Sequence, residues 1–128
     1  MSDWGFWKKS LIIGIVWGFW HMPLILMGHN YPDHPIAGVF MMVLLCVVMT
    51  PVFLYLREKS GSTMVAAIAH GTLNGSAGIS VMYLAGGNDL LCGTTGLVGI
   101  MIFAILDLLI YILKKKINSI HVGTEIAS

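Results

Sequence analysis

Apolar residues run along this chain in four long blocks, none of which alternates with polar positions. Residues 10–27 are interrupted only by Ser10 and His21, and residues 36–56 carry no charge, with Pro51 near their end. Residues 63–84 are apolar but dotted with His70, Thr72, Asn74, Ser76 and Ser80, and residues 97–113 are broken only by Asp107. Each block is long enough to cross about 30 Å of hydrocarbon as a helix. Strands fit poorly, because period two is missing and an open sheet would leave backbone groups unpaired in lipid. The connectors agree with this division. Residues 28–35 (GHNYPDHP) are polar with two prolines, residues 57–62 (REKSGS) are charged, residues 85–96 are rich in Gly, Asn and Asp, and three lysines follow residue 113. The pattern predicts one all-α domain over residues 1–128, a polytopic membrane bundle of about four transmembrane helices.

Composition sharpens this into a membrane protein. Of 128 residues, 57% are hydrophobic and 10% charged, with a mean hydropathy of +0.86. Soluble domains carry about 25% charged residues. A disordered tail, an ordinary soluble enzyme and a nucleic-acid binder are excluded, the last because a net charge of +1 offers no basic excess to phosphates. The bilayer itself is the first expected partner.

Charge placement gives the orientation. All the basic residues fall at Lys8, Lys9, Arg57, Lys59, Lys114, Lys115 and Lys116. Four spans put these three clusters on one side, so the positive-inside rule places both termini in the cytoplasm. Trp4 and Trp7 beside the lysines suit an interfacial anchor. A signal peptide is the competing account of the first block, but no small-x-small cleavage site follows and three further spans do. Cys46 mid-span and Cys92 in an outer loop differ in depth, and no CxxC pair exists. A bacterial cytoplasmic membrane is the expected location, since no eukaryotic targeting signal is visible.

Polar groups inside a bilayer are costly and need a partner or a job. His21 lies 12 residues beyond Lys9 and His70 lies 11 beyond Lys59, on two helices running outward. At 1.5 Å per residue both imidazoles reach roughly 16–18 Å from the inner face. Asn74 stacks one turn beyond His70. Gly14 and Gly18 form a GxxxG before His21, and Gly71 and Gly75 form another around Asn74, a spacing that lets helix backbones approach closely. Pro23 removes a backbone bond to the Phe19 carbonyl and should kink the first span beside His21. The plain alternative is that these side chains only hydrogen-bond neighbouring helices. Asp107, roughly 10 Å from the cytoplasmic face, either snorkels toward the lysine cluster or orients a histidine. His29 and His34, beside Asp33 in an outer loop, are expected to be solvated, and His121 lies in the tail.

The stretch SLIIGIVWGFWHMPLIL, residues 10–26, resembles the FxxxH helix of the CPBP family, the CAAX-prenyl-protease and bacteriocin-processing intramembrane proteases. Trp17 stands at the Phe of that motif and His21 at its histidine. AAIAHGTLNG, residues 66–75, resembles the later HxxxN segment, with His70 and Asn74 in its two positions. The resemblance implies an endopeptidase acting on membrane-associated peptides, prenylated or bearing a leader, in which a glutamate activates water. It implies catalytic roles for His21, His70 and Asn74: His21 holds the water or the glutamate, and His70 and Asn74 face the developing oxyanion. No cofactor is firmly implied, and a divalent metal is left open, since two histidines and an amide make a poor zinc set without a further ligand.

One departure bears on activity. The first motif of the family, EExxxR, should precede the FxxxH helix, yet Asp3 is the sole acid before His21, and Glu58 and Glu125 lie outside the spans. The chain is therefore expected to be the C-terminal part of such a protease, with apolar surface seeking a helix partner or a second copy. The alternatives are a non-catalytic membrane immunity or regulatory protein of the same fold and, less favoured, a small four-helix transporter. Such exporters need a glutamate in the first span, where this chain has His21.

Overall fold

A computed structural model describes residues 4–83 and 86–126, with side chains described over residues 4–77 and 86–117. Asp3, and the side chains of Ser80, His121 and Glu125, lie outside the described residues. The helices are α1 (Phe6–Trp20), α2 (Met22–Leu26), α3 (Pro35–Ser60), α4 (Thr63–Tyr83) and α5 (Leu97–Ile126), and no strand occurs among the described residues. The apolar blocks thus all become helix. α5 continues well past residue 113, because lysine is a good helix former and does not end a helix by being charged. Among the described residues two helices are long and apolar enough to cross a membrane singly: α3, with a mean hydropathy of 2.6, and Leu97–Ile117 of α5, with 2.4.

The first block is split where proline forbids continuity. Pro23 has no N–H, so the helix stops at Trp20, His21 bridges the gap, and α2 begins at Met22. The His21 amide donates to the Gly18 carbonyl at 3.1 Å, and the His21 carbonyl accepts from the Ile25 amide at 3.1 Å. Local chemistry also sets the α3 ends. Pro35 occupies its first turn, Gly61 closes it in the left-handed conformation at φ 66°, and Arg57 and Lys59 lie in the last turn where the helix dipole favours cations. Ser62 then accepts the Met64 amide at 3.2 Å and starts α4.

α3 is the hub, packing against α1, α2, α4 and α5. Its residues Val39, Met42, Leu45, Cys46 and Met49 form the core with Ile25, Tyr31, Ile100 and Phe103. α1 approaches α3 through its glycines. A Cβ at Gly14 would stand 2.6 Å from the Val47 Cα, and one at Gly18 would stand 2.5 Å from the Val43 Cα. The first GxxxG is thus a backbone-to-backbone contact. The second is not: a Cβ at Gly71 or Gly75 would meet nothing within 4 Å. The expectation that both pairs draw helices together fails for α4, which meets α3 by other residues.

Polar contacts tie the two ends of the bundle. At the basic end Glu58 of α3 accepts from Lys114 of α5 at 2.9 Å and lies 3.8 Å from Lys9 of α1, bringing the three basic clusters to one end. Lys114 also sits 4.0 Å from the Phe6 ring centroid. The Asp107 Oδ1 is buried without a hydrogen-bond partner. At the opposite end Tyr31 is fully buried and donates to the Thr95 carbonyl at 2.5 Å. Burial pushes its phenol up to about 12, so it remains a donor. His34 is on the surface as expected but is not free. Its Nδ1 donates to Asp89 Oδ1 at 2.6 Å, while Asp89 Oδ2 accepts the Asp33 amide at 2.9 Å. A neighbour 55 residues away in sequence was invisible to a reading of the loop alone.

Candidate active site

His21 owes its position to the break between α1 and α2. Its ring turns back along α1, and Nδ1 donates to the Trp17 carbonyl at 2.9 Å. In the neutral ring that bond puts the proton on Nδ1 and leaves the Nε2 lone pair as an acceptor. The ring is half-buried, flanked by Trp20 at 5.2 Å and by the Trp17 indole at 5.8 Å.

His70 reaches the same indole from another helix. On α4, it stands edge-on to Trp17, with centroids 5.1 Å apart and planes at 90°, and 5.5 Å from Phe53 of α3. Trp17 and Phe53 themselves meet at 6.2 Å. Edge-to-face packing of this kind suits aromatic quadrupoles and fixes ring orientation. One indole therefore stands between two histidines that are 49 positions apart in the sequence. Asn74, one turn beyond, donates from Nδ2 to His70 Nε2 at 3.2 Å and is exposed. The bond places the His70 proton on Nδ1 and leaves Asn74 a second amide hydrogen to offer. Bare Gly71 and Gly75 beside it keep that face open.

All three sequence-predicted residues thus lie in one neighbourhood, with Trp17 and Phe53 as the side chains that orient them. Trp17 was marked by its place four residues before His21. Phe53 gave no sequence signal, because an aromatic in an apolar run looks like any other core residue. Chemically the group offers two imidazoles and an amide donor in aromatic surroundings. Among the described residues no three His, Cys, Asp or Glu side chains gather as a metal site. Two imidazoles and an amide fall short of the usual catalytic zinc set of three protein ligands, so the donor chemistry does not fit one.

The chain belongs to a family of membrane-embedded peptidases. That family is the Type II CAAX prenyl endopeptidase Rce1-like family, whose model matches residues 1–76, more than half of the chain, and the matched stretch includes His21, His70 and Asn74. No curated protein and no solved structure matches the chain.

Proposed function

We propose that this chain works in CAAX-type intramembrane proteolysis of membrane-associated peptides, prenylated or leader-bearing, and crosses a bacterial cytoplasmic membrane about four times with both termini inside. The observation that carries the site is the shared packing of His21 and His70 on Trp17, with Asn74 bonded to His70. In this scheme His21 Nε2 accepts a hydrogen bond from the attacking water and holds it in place for the base. Asn74 and His70 meet the oxygen on which negative charge develops, a role worth several kcal/mol in a dry site. The meeting of three basic clusters at Glu58 supports the orientation.

Attack also needs a carboxylate base near the water. Glu58 is committed to Lys9 and Lys114, and Asp107 has no hydrogen bond to either histidine. The proposal assigns the base to an EExxxR segment outside these 128 residues and expects them to be inactive alone. Sequencing the DNA upstream of Met1 tests this. An EExxxR after an apolar span, in any frame, supports it. Its lack gives preference to an immunity or regulatory protein that keeps the fold without the chemistry. With that segment restored, Asn74→Ala should lower kcat by about 10²–10³, as loss of one oxyanion donor does. Equal cleavage by the restored wild type, His70→Ala and Asn74→Ala would sink the site.

A further inference from the structure

Beside the histidines, toward the basic end, an open cleft of about 210 Å³ lies between α1, α3 and α4. Ile13 and Trp17 of α1, Phe53 and Leu54 of α3 and Ala66 of α4 wall it, and no polar atom lines it. Thr50 also borders the cleft, but its hydroxyl is spent on the Cys46 carbonyl at 2.6 Å. Arg57 contributes at the charged end of α3, one helical turn beyond Phe53 and roughly 10 Å along the axis from Thr50.

Arg57 differs from its neighbours. Glu58 is shared by Lys9 and Lys114, and the Lys59 ammonium lies 5.8 Å from the Tyr55 ring centroid. Among the described residues Arg57 has no ion pair and no ring contact, and it is exposed. Its stem carbons line the cleft, which leaves the guanidinium free for an anion at the membrane surface.

We propose that this cleft binds an anionic phospholipid of the leaflet at the basic end, with one acyl chain against Trp17 and Phe53 and the phosphate on Arg57. The wall decides the tail. A peptide laid there would bring N–H and C=O groups with nothing to bond, whereas a hydrocarbon chain has nothing to satisfy. The unpaired guanidinium decides the head, since it matches a phosphate with two parallel hydrogen bonds. Neither histidine nor Asn74 lines the cleft, so the site is a binding site and not part of the proposed chemistry.

The test uses the full chain in phosphatidylcholine vesicles, with Trp4, Trp7 and Trp20 replaced by phenylalanine so that Trp17 alone emits. Acyl-brominated phosphatidylglycerol should quench Trp17 with an apparent association about fivefold that of acyl-brominated phosphatidylcholine, the factor one basic group supplies near a membrane surface. Arg57→Gln should bring the ratio to about one, and Lys59→Gln should leave it unchanged. Native mass spectrometry of the detergent-purified full chain, with all tryptophans present, gives a second readout. Phosphatidylglycerol should be retained on the wild type about fivefold over Arg57→Gln. Equal quenching by the two lipids, an equal loss in Lys59→Gln, equal retention by wild type and Arg57→Gln, or stronger quenching by a brominated apolar peptide would each overturn the proposal.

Discussion

α1 and α4 carry the same glycine spacing, and the fold treats the two helices differently. Gly14 and Gly18 lie directly under the backbone of α3 at Val43 and Val47, with no room for a single added carbon. Gly71 and Gly75 face open space. α4 is held instead by side chains: His70 on Phe53 and Trp17, and Leu73 against the core. Small residues permit close approach but do not create it. A partner must offer a ridge of matching shape, and in α3 the β-branched Val43 and Val47 do so for α1. The bare glycines of α4 have a consequence of their own, because they leave Asn74 accessible beside His70.

Substitutions at the four glycines break this comparison most directly. Gly18→Val drives a branched side chain into the α3 backbone and should cost about 3 kcal/mol, read as a loss of reversible unfolding free energy in mild detergent. Gly14→Ala should cost about 1–3 kcal/mol by the same overpacking. An unchanged stability in either variant would show that α1 and α3 separate easily.

The loops at the end opposite the basic clusters come next, since they tie the chain on both sides of α4. Tyr31→Phe leaves the half-buried Thr95 carbonyl without its donor and should cost about 1–2 kcal/mol in the same measurement. Asp89 supplies a pH signature. Partial burial pushes its carboxyl up, but the His34 hydrogen bond, the Asp33 amide and the His34 charge outweigh this and hold it below the usual carboxylate range. A depressed folded value means stabilisation that is present above the unfolded pKa of about 3.9 and lost as pH falls through the folded one. The wild-type Tm should therefore drop more steeply than that of Asp89→Asn on acidification from about pH 5 to 3. Parallel curves would mean that the clasp carries no net stability.

The smallest effect belongs to the open face. Gly71→Ala and Gly75→Ala add a methyl group to an uncrowded helix and should gain up to about 0.5–1 kcal/mol each by helix propensity. A loss of similar size in membranes, but not in detergent monomers, would reveal a helix seated on that face.

Much of the helix pattern was legible in the sequence because it rests on near neighbours. The blocks of apolar residues, the break that Pro23 imposes at His21, the stop at Gly61 and the one-turn stacking of Asn74 on His70 all depend on residues within about four positions. α5 runs on past residue 113 as one helix, because helix propensity is indifferent to the charge of the lysines that follow.

What tertiary structure alone decided involves partners far apart in the chain. Asp89 met His34 and Asp33, Lys114 met Glu58, Phe53 met His70, and only one of two identical glycine spacings found a ridge. Periodicity along a helix states which residues share a face. It cannot state what lies opposite, because that depends on the shapes and packing of several helices at once. The sequence by itself determined a helical chain that carries His21, His70 and Asn74 within its apolar blocks. The fold placed Trp17 between the two imidazoles and left the α4 glycines bare.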